Sequence, residues 1–484
     1  MNNPIRRVAI LAATMFAALL ISTTIIQFFQ AQELRDKPNN TRTLLASYAT
    51  ARGSILVGGN EIASSRPVDD QYRYQRVYPK GDLYAHVTGY YSLVYGAGAG
   101  LEKAAHDLLS GQASSLIYRR LGDLITGQNP SGATLELTIN PAAQKAAEAA
   151  LGERRGAAVA LDPKTGAVLA MVSHPTFDPN SLAGHDRSKV TSAWERFSKA
   201  KSNPTINRAI GGNLYPPGST FKLITAAAAL ESQKYGTQTQ LPGPERLPLP
   251  GSSTSLPNAG GGACDNGTVT LARAVQMSCN TAFGYLGQQL GGDAIRSQAA
   301  KFGFGEQLKI PMSVTPSTIP KNSDTAQNIQ IAIGQFDVRA TPMQIAMVTA
   351  GIANGGELMK PYLISKTMGA DLDVIEETRP QKLSTAVSKE TAKKLTQMME
   401  GVVEGGTGTK AQISGVKVAG KSGTAEHGEG RPPHAWFTAF APANDPQVAV
   451  AVVVEDGGVA GSEGGGGKVS APIAKKIMEA VINR

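Results

Sequence analysis

Cysteine is nearly absent from this chain: 484 residues hold two, Cys264 and Cys279. They stand fifteen positions apart, with Asp and His sparse around the motifs described below. That is no zinc-ligand set, and neither a metal nor another cofactor is expected. Histidine is scarce as well, six in all, so the imidazole that usually activates a hydroxyl has few sources. Aromatics are 6% and charged residues 18%, beside 53 glycines and 28 prolines, which describes a folded, loop-rich protein rather than a disordered one. The 47 Lys and Arg exceed the 38 Asp and Glu, yet form no basic stripe interleaved with aromatics. The net charge of +9 therefore suits an anionic membrane or wall polymer, and no nucleic-acid partner is expected.

Long apolar runs are lacking too, with one exception. Val8 to Phe29 is 22 residues without a charge, long enough to span a bilayer. Arg6 and Arg7 precede it, so the positive-inside rule keeps residues 1–7 in the cytoplasm and sends the remainder outward. A cleaved signal peptide is the competing reading. The run is long for one, and Gln27-Phe28-Phe29-Gln30-Ala31-Gln32 lacks a small-x-small cleavage site, which favours an uncleaved membrane anchor over 8–29. Everything after about residue 30 is then one extracytoplasmic body. In that setting Cys264 and Cys279 can oxidise, and closing a loop of this size stabilises by about 3 kcal/mol. Two buried thiols are the alternative; the disulfide is favoured, and it would stiffen the turn around Cys279.

Residues 30–135 are polar and irregular, with short apolar runs such as Gly53 to Val57, and read as small strands and turns rather than one compact core. Gly96 to Gly100 and Gly405 to Lys410 miss the spacings of nucleotide loops and read as turns. The pattern changes at 136. Asn140 caps an alanine-rich helix from Pro141 to Leu151. Ala157 to Leu161 and Ala167 to Val172 flank Asp162-Pro163-Lys164-Thr165-Gly166 and predict a hairpin. Phe221 to Leu230 is an apolar helix, and Thr341-Pro342 opens another through Ala353. Ala435 to Ala441 and Gln447 to Glu455 predict a second hairpin, followed by a glycine-rich loop, Gly457 to Gly467, and a terminal helix from Pro472. Strands at both ends with helices between predict one α/β (α+β) domain over 136–484 with a mainly antiparallel sheet.

Three separated clusters carry chemistry. Ser219-Thr220-Phe221-Lys222 follows Tyr215-Pro216-Pro217-Gly218, a segment that cannot be helical. If a helix begins there, Ser219 and Lys222 share one face, and the serine sits at the positive end of the helix dipole, where an anionic transition state is favoured. A serine hydroxyl needs a base. His434 is the one histidine placed near these motifs, and a structural histidine at a strand end is its plainer reading. Lys222 is the better base if it is neutral. Moving its pKa from about 10.4 to near 7 takes roughly 4.6 kcal/mol. A second cation about 7 Å away supplies on the order of 2.4 kcal/mol at an effective dielectric of 20. Lys421 alone is therefore insufficient, and burial with hydrogen bonds to Ser278 and Asn280 must supply the rest. Ser278 can relay a proton to a leaving amine, and Asn280 offers a carbonyl to Lys222 and an amide to substrate. Lys421-Ser422-Gly423-Thr424 predicts a strand beside the cleft. Lys421 and the hydroxyls of Ser422 and Thr424 suit a substrate carboxylate, Gly423 permits close approach, and the Thr424 amide joins that of Ser219 as an oxyanion hole. Each cluster alone is a common turn or cap.

Together, in this order, they resemble a class B penicillin-binding protein, most closely of the penicillin-binding protein A type. Asn207-Arg208-Ala209, Ile333-Gly334-Gln335 with Thr341-Pro342-Met343-Gln344, Val403 to Thr409, and His434-Ala435-Trp436-Phe437 are similar to family segments. Arg52-Gly53 and Gly100-Leu101-Glu102 resemble landmarks of the amino-terminal module. The resemblance implies a pedestal or dimerisation-type module over 30–135 and a penicillin-binding transpeptidase domain over 136–484, with the serine β-lactamase-like fold. It implies that Ser219 is acylated by a peptidoglycan stem ending in D-alanyl-D-alanine, that an acceptor amine takes the acyl group, that β-lactams block the site, and that cell-wall synthesis or division proteins are partners. Two positions depart from the family: Ser422 stands where threonine is more common, and Phe336 where many relatives have glycine. About 100 residues between anchor and catalytic domain are too few for the glycosyltransferase of the bifunctional class.

Carboxypeptidase and β-lactamase activities are the rivals within serine acyl transfer, differing in whether water reaches the acyl-enzyme. A membrane-anchored β-lactam sensor and a catalytically idle division scaffold are rivals of another kind. Met1 to Arg7 is short for a signalling segment.

Overall fold

The computed structural model describes residues 3–30, 34, 48–116, 131–212, 214–428, 430–458 and 465–483. Ala31 and Gln32 of the segment weighed as a cleavage site lie outside them. Helix α1 (Asn3–Thr24) continues as a wider π turn to Phe29, with no buried residue and a mean hydropathy of 2.2. Among the described residues, Asn3–Phe29 is the one helix long and apolar enough to cross a membrane.

Strands β1 (Ile55–Val57), β2 (Asn60–Pro67), β3 (Tyr74–Val77) and β4 (Thr134–Leu137) follow. Helix α2 (Pro141–Leu151) has the expected cap, with Asn140 Oδ1 accepting from the N–H groups of Ala142 and Ala143. The first hairpin is β5 (Gly156–Leu161) with β6 (Val168–His174). Then come α3 (Lys222–Glu231), α4 (Leu271–Met277), α5 (Asn280–Lys301) and α6 (Pro342–Ala353), the last capped by Thr341 as its Thr-Pro pair predicts. Strands β7 (Ile364–Met368) and β8 (Val374–Glu377), helix α7 (Lys389–Gly405), and strands β9 (Ala419–Ala425), β10 (His434–Ala441) and β11 (Val448–Val454) lead to α8 (Gly466–Ile482).

The architecture is mixed α/β, with sheets that are mostly antiparallel. A five-stranded antiparallel sheet in the order β9-β10-β11-β5-β6 joins the two predicted hairpins from opposite ends of the domain. Every residue of β10 and β11 is buried, because both faces are covered. Successive side chains point to opposite faces. Val453, Ala451 and Val159 therefore join a core with α3 and α6, while Val452, Val450 and Ala158 join one with α2 and α8.

Two expectations change. The terminal helix begins at Gly466, not Pro472, which lies inside it. A Cβ on Gly466 would stand 1.8 Å from the Trp436 carbonyl oxygen and one on Gly467 2.0 Å from that of Thr407. The glycines let the first turn dock against β10, and this contact overrides their poor helix propensity. Residues 459–464 of the glycine-rich loop lie outside the described ones. The amino-terminal strands also do more than form small turns. They build a six-stranded sheet, β8-β7-β4-β1-β2-β3, whose first two members return from beyond residue 360. The boundary expected at 135/136 falls inside β4, and Ile55, Val57, Tyr78 and Leu101 belong to the same continuous core as Phe221 and Met343. At the heart of this part the buried Glu102 carboxylate is held by Arg52 and by Arg76, the latter at 2.6 Å.

Candidate active site

The approach to Ser219 is built to turn sharply. The backbone of Tyr215 pairs with Ala340, and the Trp436 indole donates to the Pro216 carbonyl at 3.1 Å. Gly218 has φ +53 and donates to the Gly334 carbonyl at 2.9 Å, and a Cβ on it would stand 2.6 Å from the Thr424 carbonyl oxygen. Only glycine fits there. A 3₁₀ turn, Gly218–Thr220, presents the half-buried Ser219 beside β9, and α3 starts at Lys222. Among the described residues Ser219 Oγ makes no hydrogen bond; it stands open to the cleft.

Lys222 is fully buried, and its Nζ donates to the Ser278 carbonyl at 2.7 Å, to Asn280 Oδ1 at 2.7 Å and, more weakly, to Ser278 Oγ at 3.4 Å. Ser278 ends α4 with φ +64, a left-handed conformation uncommon outside glycine. That twist turns both its carbonyl and its hydroxyl toward the lysine. Cys279 follows and forms a disulfide with Cys264, which ties this strained turn to the chain fifteen residues upstream. Asn280 then opens α5, its Nδ2 donating to the Pro257 carbonyl at 3.0 Å.

On the opposite wall, edge strand β9 carries Lys421, also fully buried, with Nζ donating to Ser278 Oγ at 2.8 Å and to the Ser422 carbonyl at 3.0 Å. The two amines thus meet at one hydroxyl. Burial pushes the Lys222 pKa well below the ordinary lysine value, and the neighbouring Lys421 pushes it in the same direction. Burial lowers that of Lys421 to about 7. Ser422 Oγ shares a 2.6 Å hydrogen bond with Thr407 Oγ1. Gly423 packs against the nucleophile turn, where a Cβ would come within 3.2 Å of the Thr220 nitrogen, and Thr424 is exposed at the cleft.

Lys222, Ser278, Asn280 and Lys421 are therefore joined by hydrogen bonds, and the turn carrying Ser219 packs against the strand carrying Ser422, Gly423 and Thr424. His434 does not join them. It stands at the start of β10, buried, with its ring 5.3 Å from that of Tyr215 and a pKa lowered to about 4, first by burial and then by His427. With His427 and Asp456 it makes a three-residue group close enough to hold a metal, a convergence the sequence reading missed. The two imidazoles stack 3.5 Å apart with planes 6° from parallel, so their in-plane lone pairs do not converge on one ion.

Sequence reasoning also missed Asn258, whose Oδ1 accepts from the N–H groups of Asn280 and Thr281 at 3.0 Å each and so fixes the start of α5. No local pattern marks it. Thr407 and Gly334 lie in segments already singled out by resemblance, which was the available signal.

Residues 156–479 match the penicillin binding protein transpeptidase domain family, and residues 52–135 match the penicillin binding protein A dimerisation domain. The chain is 45% identical to peptidoglycan D,D-transpeptidase PbpA of Mycolicibacterium smegmatis, across 100% of this chain and 99% of that protein. It is 44% identical to the protein of that name from Mycobacterium tuberculosis, with the same coverage. Among solved structures, the ceftriaxone acyl-enzyme complex of penicillin-binding protein A from M. tuberculosis superposes with a TM-score of 0.87 at 44% identity, covering 90% of this chain and 100% of that one. The penicillin G acyl-enzyme complex of the same protein gives a TM-score of 0.84. This chain belongs to the penicillin-binding protein transpeptidase family.

Proposed function

We propose that this protein is a peptidoglycan D,D-transpeptidase that works through a Ser219 acyl-enzyme and is blocked covalently by β-lactams. The observation that carries the reading is the meeting of Lys222 and Lys421 at Ser278 Oγ, deep in a groove beside Ser219. Neutral Lys222 takes the Ser219 proton as Oγ attacks the penultimate D-alanine carbonyl, and the N–H groups of Ser219 and Thr424 receive the developing oxyanion. The terminal D-alanine leaves as an amine, its proton returned from Lys222 through Ser278. An acceptor amine then attacks the ester and gives a proton to Lys222, which passes it to Ser219 Oγ as the ester bond breaks and the cross-linking amide forms. Lys421, Ser422 and Thr424 hold the donor's terminal carboxylate.

The chain divides in this reading into a cytoplasmic tail over 1–7, an anchor over 8–29, a pedestal or dimerisation-type module over 30–135 and the catalytic domain over 136–484, outside the membrane. The uncharged span after Arg6 and Arg7 supports that orientation. Proteins of cell-wall synthesis or division are the expected partners, with the module that shares β7 and β8 as the route to the catalytic core.

The test is intact mass after benzylpenicillin, with peptide mapping. A single long-lived adduct on Ser219, absent in Ser219→Ala, is expected. Rapid release of hydrolysed penicillin, or an adduct that persists in Ser219→Ala, overturns the reading.

A further inference from the structure

Cys279 stands in the cap position of α5 and supplies no side-chain cap. Its sulfur is committed to Cys264, so the first N–H groups of the helix need an acceptor from elsewhere. Asn258 provides it: Oδ1 receives the Asn280 and Thr281 N–H groups at 3.0 Å each. The amide is fixed in that orientation. Its Nδ2 donates to the carbonyls of Pro244 and Gly262 at 2.9 and 3.0 Å, so both of its donors are used. A flip would set its oxygen against two carbonyls and its nitrogen against two N–H groups.

Pro257, the residue before it, controls the side chain of Asn280 as Asn258 controls the main chain. The Pro257 carbonyl accepts from Asn280 Nδ2 at 3.0 Å, which leaves Oδ1 at the other end, 2.7 Å from Lys222 Nζ. Rotated by half a turn, the same amide would press its nitrogen on the amine and its oxygen on the carbonyl. Two consecutive residues therefore aim Asn280 at the base. They end a short hairpin, Arg246–Pro248 paired with Ser255–Pro257, that stands outside the five-stranded sheet. Leu247 and Leu256 close over Gly284 of α5, where a Cβ would come within 2.9 Å of each.

We propose that Asn258 is a positioning residue of the acyl transfer: acting through Asn280, it keeps the acceptor for Lys222 in register and so sets the rate at which Ser219 is activated, without touching substrate. The inference rests on the transpeptidase reading. A residue that only capped the helix would affect stability and leave the chemistry alone, and kinetics separates the two roles.

The test is a double-mutant cycle on the full-length protein in detergent, with benzylpenicillin acylation resolved into a dissociation constant and a limiting rate. Asn258→Ala is expected to lower the limiting rate about 10- to 100-fold and to leave the dissociation constant within about twofold, the pattern of a misplaced base. In an Asn280→Ala background the same substitution is expected to change the limiting rate by less than about twofold, because the group it positions is gone. Asn258→Ser keeps one acceptor oxygen and serves if Asn258→Ala does not fold; a smaller loss with the same dependence on Asn280 is expected. Thr281→Val is the structural control. It removes the hydroxyl that donates to the Pro244 carbonyl at 2.8 Å, loosening the same contact while leaving the Asn280 N–H on Asn258. Its melting temperature is expected to fall and its limiting rate to stay within about twofold of the parent. An equal loss in both backgrounds overturns the proposal. So does an unchanged limiting rate in the Asn258 variants, or a loss in Thr281→Val as large as theirs. Failure of the parent protein to form a Ser219 adduct strikes the transpeptidase reading instead, so the two failures are separable.

Discussion

Lys222 Nζ donates to Asn280 Oδ1 at 2.7 Å, and the orientation of that amide is fixed from its other end, where Nδ2 donates to Pro257. A neutral acceptor in this position holds the amine without charging it. Asn280→Asp keeps the shape and replaces the acceptor with an anion. An opposite charge at contact distance raises a lysine pKa by roughly one to three units, so the acid limb of the acylation profile should move to higher pH by that amount. Benzylpenicillin acylation, followed by stopped flow, should slow on that limb and recover as pH rises. An unchanged rate and profile would mean that Lys222 is not the base.

In the proposed mechanism the two lysines need opposite protonation states, and this fixes the sign of the pH dependence. Lys222 would work neutral and its pKa lies well below that of free lysine, so acylation should rise with pH along the acid limb as it deprotonates. Lys421 would grip a carboxylate as a cation, and burial lowers its pKa to about 7, so the rate should fall on the alkaline side through that region. A bell-shaped profile of the second-order acylation constant is expected. With a penicillin methyl ester, which offers no carboxylate, the alkaline limb should flatten. A limb of equal depth for acid and ester would remove Lys421 from the carboxylate site.

The elements that were legible in advance are those whose information is local. Asn140-Pro141 and Thr341-Pro342 specify helix starts through capping chemistry within three residues, and the helices begin there. The Val-rich run of β11 and its alternation divide correctly between two cores. The motif serines and lysines were legible as chemistry, but not why the two lysines share a hydroxyl. That depends on the left-handed turn at Ser278, and on Asn258 locking the next helix from 22 residues away. The return of β7 to pair with β4, across 229 residues between Glu136 and Ser365, leaves no trace in either segment alone. Pro472 misled for the converse reason: its local preference for a helix start lost to the docking of Gly466 on β10.

Phe336 adopts φ +60 and packs its ring partly against the main core. Two terms oppose each other there. The left-handed backbone costs a bulky residue about 1–2 kcal/mol, while the ring recovers some of this through burial. Phe336→Ala keeps the strain and loses the ring, whereas Phe336→Gly loses both. The glycine variant should therefore be more stable than the alanine variant by about 1 kcal/mol, read as the difference in their urea midpoints. The reverse order would show that the loop relaxes out of the left-handed region once the ring is gone.

Among the described residues Glu102 is the sole carboxylate paired with Arg52 and Arg76, and it is itself fully buried. Burial alone would raise its pKa, but the two guanidiniums hold it below the usual glutamate value. It therefore stays charged through neutral pH, and the stability it contributes is present above the unfolded-state pKa and lost as pH falls through the folded one. Arg76 Nη2 has no hydrogen-bond partner even with Glu102 in place, so the arrangement has no slack. Glu102→Gln would leave two buried cations facing a neutral amide, a change that costs about 3–5 kcal/mol. Because Leu101 shares its core with Phe221, the loss should spread beyond the amino-terminal strands. Thermal unfolding should move to lower temperature, and benzylpenicillin acylation should disappear in the same transition. If acylation outlasts the early unfolding step, the six-stranded sheet melts independently of the groove, and the continuous core does not couple them.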